Sequence, residues 1–252
     1  MFAVVDRFRI VEKLGAKVWK CEDFSRDGET VVVKCLNDEN ELKILRALRE
    51  YGDCFVNLYD SFKHRKLVHV VMEYFDYDLL EYLNENPIDE EERRGIFVRV
   101  FTAVMTLFHV TGYYHADLKA ENIVINKRKN VKLIDFGVMI KKGEKISKLT
   151  GGTREYYPPE KIQRETGTTE SFVVWTLGLI LYRLLIGLEI PSDESGVTKS
   201  DIALTADVKY ISEGAADLLR KCLHHDYRKR ASLKDIRYHH WITGKKKLGL
   251  CC

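Results

Sequence analysis

One break in periodicity constrains this chain more than any single motif. Up to Tyr74 the apolar residues come mostly in short β-like runs, and beyond it they recur at helical spacing. "RFRIVEKL", "VWKCEDF" and "VVVKCL" read as strands. "SRDGET" joins the last two, with Asp27-Gly28 supplying the positive φ of a tight turn. "ENELKILRAL" follows as a short helix with Leu42, Leu45 and Leu48 at helical spacing, and "VNLYDSF" and "LVHVVMEY" read as two more strands. "DEEERRGIFVRVFTAVMTLFHV" then opens with Asp89 and Glu92 at capping-box spacing and repeats apolar residues at Ile96, Val100, Ala103, Val104 and Leu107. Later helices are predicted over 171–187, 213–224 and 232–242. A small β lobe ahead of a larger helical lobe is an α+β arrangement with a cleft between.

The expected organisation is a single domain over 1–252. It has a first lobe over 1–72, a hinge at 73–77, a second lobe over 78–243 and a basic tail over 244–252. The 41 basic and 38 acidic side chains leave a net charge of only +3, which gives no strong pull toward nucleic acid. Cysteines 21, 35, 54, 222, 251 and 252 form no CxxC pair, a scatter suited to reduced thiols inside a cell. "MFAVVDRFRI" is too short and too charged for a signal peptide. The long apolar run "FVVWTLGLILYRLLIG" is broken by Arg183 short of the ~20 residues of a membrane span, so it reads as a buried core helix. The expected setting is intracellular, cytoplasmic or nuclear.

Two stretches carry chemistry. "HADLKAENIVI" sets an acid, an ammonium and a carboxamide within six residues, and "KLIDFG" ends a β-like run in a second acid. Moving a phosphoryl group demands neutralised phosphate charge, a chelated metal and an oriented hydroxyl. Asp117 suits acceptance of the hydroxyl proton, Lys119 suits the γ-phosphate, and Asn122 suits a metal. Asp135 offers the hard carboxylate oxygen that Mg²⁺ prefers. Lys34, ending "VVVK", reaches the α and β phosphates when an acid holds it extended; Glu41 is the natural partner and Glu39 the alternative.

These residues resemble the protein kinase family over nearly the whole chain, in the family's order. The series runs Lys34, Glu41, "VMEY", His115 to Asn122, "DFG" at 135–137, "GTREYYPPE" at 152–160, "WTLG" at 175–178, "DYRKR" at 226–230 and "HHWI". The resemblance implies a bilobal kinase fold, ATP and Mg²⁺ as cofactors, and protein substrates. It implies Met72 as gatekeeper, adenine bonded by the backbones of Glu73 and Phe75, and the ring held between Val18, Val32 and Val124. Thr153 fits the activation-segment threonine that bridges the catalytic acid and lysine, and Arg230 is placed to pair with Glu160. "DLK" implies serine and threonine acceptors. "YYPPE" and "VMEYFDYDLLEYL" look like the dual-specificity spindle-checkpoint kinases of the monopolar-spindle type, which implies kinetochore and checkpoint partners.

Four departures stand against this pattern. "LGAKVWK" leaves Gly15 alone where the family has a glycine-rich run, which removes most of the N–H cradle for phosphates and shifts charge duty to Lys17 or Lys34. Only six residues separate Lys34 from Glu41. Ala116 replaces the arginine that reads an activation-loop phosphate, so Ser147 or Thr150 would lack the usual clamp if phosphorylated. Val173 replaces the helix aspartate that supports the catalytic loop. A smaller change, Val32, adds bulk beside the adenine. The alternative to an active kinase is therefore a pseudokinase acting as an interaction scaffold.

Weaker signals have plainer readings. Cys222, His224, His225, His239 and His240 match no zinc-finger spacing and read as surface histidines on helices. "KKGEKISK" and "YRKR" read as solvated faces, the first also able to steer an acidic peptide. The ending "GKKKLGLCC" reads as a frayed basic tail; membrane attachment would need lipid on Cys251 and Cys252. A monomer is expected.

Overall fold

Five antiparallel strands form the first layer, in the order β1-β2-β3-β5-β4. They are β1 (Phe8–Gly15), β2 (Val18–Asp23), β3 (Glu29–Cys35), β4 (Leu58–His64) and β5 (Leu67–Glu73). The computed structural model describes residues 7–165, 167–187, 189–192 and 210–244. The lipidation reading of Cys251 and Cys252 lies outside the described residues. Asp27 and Gly28 take φ of 54° and 77°, the left-handed turn that the sequence asks for between β2 and β3. Alternation along β3 sends Val31 and Val33 into a small cluster with Cys21 and Val71, and Val32 and Lys34 toward the cleft.

The sheet curls until its two edges meet. Arg7 bonds Asp23 at 2.7 Å and Asp60 at 2.5 Å, and Phe8 of β1 stacks on Phe62 of β4 with ring centroids 5.8 Å apart. After β3 only Leu36, Asn37 and Asp38 precede helix α1 (Glu39–Ala47), whose first turn is capped by the Asp38 carboxylate on the Asn40 N–H at 2.7 Å. Helix α1 turns Glu41, Leu42 and Leu45 inward.

The second layer is helical. Helix α2 (Leu79–Glu85) starts in a full capping box from Asp78 and Glu81. Helix α3 (Glu90–Thr111) has only half of one. Asp89 accepts from the Glu92 N–H at 2.8 Å, but the Glu92 carboxylate turns away to Tyr82 (2.8 Å) and Lys129 (2.9 Å). By length and composition alone α3 is apolar enough to cross a membrane, yet Ile96, Phe97, Val100, Val104 and Leu107 are buried in the protein core. Helix α4 (Pro159–Ile162) is short, and α5 (Thr169–Leu185) is the central column, all of it buried except Glu170. Helix α5 begins two residues before the predicted 171 because Thr168 and Ser171 form a capping box there.

Helix α6 (Glu213–Cys222) ends two residues short of expectation, where Leu223 leaves helical geometry. The single helix predicted over 232–242 is two, α7 (Leu233–Tyr238) and α8 (His240–Thr243). His239 adopts an extended ψ of 138° between them, and its ring accepts from the Trp241 N–H at 3.3 Å, restarting the helix.

Short strands deliver the motif loops to the cleft. Strands β6 (Tyr77–Asp78), β8 (Ile123–Ile125) and β9 (Val131–Leu133) form one sheet, and β7 (Tyr113–His115) pairs with β10 (Met139–Lys141). Residues 116–122 therefore lie between β7 and β8, and 134–138 between β9 and β10.

Candidate active site

Lys34 hangs from β3 and meets two acids at once. Its Nζ lies 2.6 Å from Glu41 Oε1 and 2.8 Å from Asp135 Oδ1, so the sheet, α1 and the 134–138 loop converge on one ammonium. Burial draws Lys34 down, but Asp135 and then Glu41 outweigh it and leave it above its ordinary value. Burial pushes Glu41 up, with Lys34 opposing, while for Asp135 the pull of Lys34 wins over burial and holds the carboxyl low. Glu39, the alternative partner, pairs instead with Lys63 at 2.8 Å on the surface.

Asp117, Lys119 and Thr153 form a second cluster. The Thr153 N–H donates to Asp117 Oδ1 at 2.7 Å, Lys119 Nζ donates to Thr153 Oγ1 at 2.9 Å, and Lys119 lies 3.3 Å from Asp117 Oδ2. Gly152 makes this approach possible. Its φ is 92°, and a Cβ there would stand 3.0 Å from the Ala116 carbonyl. Ser147 and Thr150, further back in the same segment, are exposed to solvent.

The role of His115 was not visible in the sequence. Its Nδ1 accepts from the Asp117 N–H at 3.2 Å and its Nε2 faces the Ile134 carbonyl at 3.1 Å, which fixes a neutral tautomer with the proton on Nε2. Burial lowers its pKa in keeping with that state. One imidazole thus ties the 116–122 loop to the 134–138 loop. Ala116 and Val173 are both buried in the core, an apolar support where the family pattern has charges.

The residues proposed for a metal fit one. Asn122 donates its amide N–H to the Asp117 carbonyl at 2.9 Å, which leaves its Oδ1 as the ligand atom. Asp135 engages Lys34 through Oδ1, its side chain is 45% exposed, and its φ of 63° is an unusual backbone state for a non-glycine residue. Both carboxylate and amide oxygens are the hard donors Mg²⁺ takes.

The cleft itself is a cavity of ≈ 400 Å³ lined by Val18, Val32, Val124, Met72, Ile134, Glu73 and Phe75 along with Lys34, Asn122 and Asp135. Every residue expected around adenine lines it. The Glu73 N–H is taken by the Asn57 carbonyl at 3.0 Å and its carboxylate by Lys132 at 2.6 Å, so any adenine contact from Glu73 falls to its carbonyl.

Three sequence expectations change. Lys17 does not face the cleft; its Nζ bonds Asn37 Oδ1 at 2.7 Å, so Lys34 is left as the lysine lining the cavity. Arg230 leaves the solvated "YRKR" face and is buried, bonding both Glu160 oxygens at 2.7 and 3.0 Å and the Ser171 carbonyl at 2.7 Å. The histidines are not a helical surface set. Cys222 is buried, His224 and His225 lie in a loop, and His239 is buried beside Asp217 at 3.0 Å. Asp217, His239 and His240 do gather, but Lys221 already holds Asp217 at 2.8 Å, and His239 uses Nδ1 to accept from Trp241, which makes its Nε2 a donor rather than a ligand. Two wider depressions of ≈ 630 and ≈ 660 Å³ flank His240, far from the phosphate-directed residues.

Comparison with known proteins agrees with this geometry. The protein kinase domain pattern matches residues 13–242. The chain is 28% identical over 243 residues to calcium-dependent protein kinase 14 of Arabidopsis thaliana, covering 91% of this chain and 45% of that protein. It is 30% identical over 248 residues to calcium-dependent protein kinase 8 of the same plant, with 93% and 46% covered. Against the maternal embryonic leucine zipper kinase of Xenopus laevis it is 30% identical over 238 residues, with 85% and 35% covered. The chain therefore spans about half the length, or less, of these curated relatives. It belongs to the protein kinase family.

Proposed function

We propose that this kinase domain transfers the γ-phosphoryl group of Mg–ATP to serine and threonine hydroxyls of protein substrates. One observation carries the reading: Lys34, held by Glu41 and Asp135, lines the cleft with Asn122, whose amide bonds the carbonyl of Asp117, the acid linked to Lys119 and Thr153. Asp117 orients the acceptor hydroxyl and takes its proton as the oxygen–phosphorus bond forms and the β–γ bridge breaks. Lys119 faces the transferring group, and Lys34 holds the α and β phosphates. Asn122 and Asp135 would hold Mg²⁺, which supplies charge neutralisation between the phosphates. Val18, Val32 and Val124 exclude water from the adenine.

The finer reading adds tyrosine acceptors and a place in mitotic spindle-checkpoint signalling, with kinetochore proteins as partners, for a monomer in the cytoplasm or nucleus. Its support is the "YYPPE" and "VMEYFDYDLLEYL" stretches. Phosphoamino-acid analysis of products and rescue of checkpoint arrest in cells lacking a spindle kinase test it; only phosphoserine and no rescue would remove it.

A second reading, a scaffold with little turnover, draws on one feature, the two-residue turn between β1 and β2 where phosphates need N–H donors. The decisive assay is transfer from labelled Mg–ATP to the chain itself and to a generic protein, beside Asp117→Asn. Transfer by the wild type, lost in the variant, supports the enzyme. Equal background in both supports the scaffold.

A further inference from the structure

We infer that Lys161 is a positioning residue that orders the segment before Thr153 without a phosphate, in place of the arginine missing at Ala116. Its functional part rests on the kinase reading above; its structural part does not.

Lys161 sits in α4, one residue after Glu160, and points back under the segment. Its Nζ donates to the Ile146 carbonyl at 3.0 Å and to the Leu149 carbonyl at 2.7 Å. It also lies over the Tyr157 ring, 4.9 Å from the centroid, and the Tyr157 hydroxyl donates to the Gly151 carbonyl at 2.7 Å. Two side chains from 157–161 thus hold three carbonyls of 146–151. Ile146 adds an anchor of its own, with its side chain fully buried.

The ammonium has an unusual environment for this work. Among the described residues it makes no ion pair, and burial lowers its pKa from the ordinary value. Lysines on a surface keep the charge in water; this one gives two of its three donors to carbonyls of a single segment. The nearby lysines Lys142, Lys145 and Lys148 are exposed, and Ala116 offers no charge. The segment so held leads directly into Thr153, whose N–H meets Asp117 and whose hydroxyl meets Lys119. Order is relayed from Lys161 to the residue that aligns the acid and the lysine.

Hydrogen exchange of the whole chain, phosphatase-treated, tests this. The reporters are the Lys148 and Leu149 amides, which bond the Lys145 and Ile146 carbonyls at 3.0 and 3.1 Å. Lys161→Met should speed their exchange by roughly tenfold while amides of α5 stay protected. Lys161→Arg, which keeps two donors, should restore most of the protection. Peptide KM should rise about tenfold in Lys161→Met with ATP KM within about twofold. Combined Ser147→Ala and Thr150→Ala should leave exchange unchanged. Unchanged exchange in Lys161→Met, an equal rise in α5, no rescue by arginine, or loss of order in the alanine pair would each overturn the inference. Should Lys161→Met fail to fold, Lys161→Gln takes its place in the same comparison. If the wild type transfers no phosphate, the kinase reading fails while the exchange data still decide the role of Lys161.

Discussion

Gly15 pairs directly with Val18 across β1 and β2, so Ala16 and Lys17 alone close the turn that overhangs the cleft. A two-residue hairpin commits its backbone to the ladder and has few N–H groups to turn on a phosphate.

Nucleotide affinity should be low for that reason. Each missing charge-assisted hydrogen bond costs about 1.5–3 kcal/mol, or roughly ten- to a hundredfold in Kd. Replacing Ala16-Lys17 with a longer glycine-rich turn should tighten Mg–ATP binding by about tenfold or more in calorimetry. Lys17→Ala should change Kd by less than about twofold, because Lys17 is engaged with Asn37. An unimproved Kd in the lengthened turn would show that the N–H cradle is not limiting.

Thr153 is predicted to act through two separable bonds. Thr153→Val removes the hydroxyl that Lys119 reaches but keeps the N–H on Asp117. We expect kcat/KM to fall about tenfold, with Thr153→Ser restoring it and the melting temperature nearly unchanged. A valine variant with wild-type kinetics would remove the Lys119 contact from the account.

Much of this arrangement was legible because it is local. The short apolar runs announced the five strands, Asp27-Gly28 announced its turn, and the motif spacings pointed to Lys34, Asn122 and Asp135, which line one cleft, and to Asp117, whose carbonyl Asn122 bonds. What escaped depends on distant partners. Nothing beside Glu92 in the sequence says that Lys129 and Tyr82 will draw its carboxylate from the helix cap. Lys161 looks like any helix lysine until the fold brings Ile146 and Leu149 over it. Lys17 looked like a phosphate ligand because Asn37, twenty residues on, was not yet beside it. The helix break at His239 is likewise set by one ring accepting from Trp241.

The Glu160–Arg230 pair should matter to stability more than its single contact suggests. Both side chains are buried, with Arg230 also on the Ser171 and His224 carbonyls and 5.0 Å from the Trp175 ring. Arg230→Met would strand the Glu160 charge, at a cost of roughly 3–5 kcal/mol. Urea unfolding should show the midpoint falling at constant m, and Glu160→Gln added to Arg230→Met should recover part of the loss. A single variant within about 1 kcal/mol of wild type would contradict this.

His69 is 1% exposed, stacks on Phe62 with centroids 5.1 Å apart, and among the described residues has no hydrogen-bond partner on either ring nitrogen. Burial first, then His64, lowers its pKa from 6.5, and the Leu67 backbone opposes this without reaching hydrogen-bond geometry. His115 and His239 are also lowered, each chiefly by burial. A histidine lowered in the fold stays neutral where the unfolded chain already binds a proton. Its effect is therefore absent above pH 6.5 and grows as pH falls below it, so stability should drop by up to ~1.4 kcal/mol per pH unit for each such group. His69→Phe keeps the stacked shape and removes two unpaired nitrogens. It should raise stability at pH 7.5 by about 1–3 kcal/mol and make the decline between pH 6.5 and 5 shallower by about one proton. Unfolding curves at both ends of that range decide it. A destabilised phenylalanine variant with an unchanged slope would mean that the His69 nitrogens are satisfied in solution and that the acid loss belongs to His115 and His239.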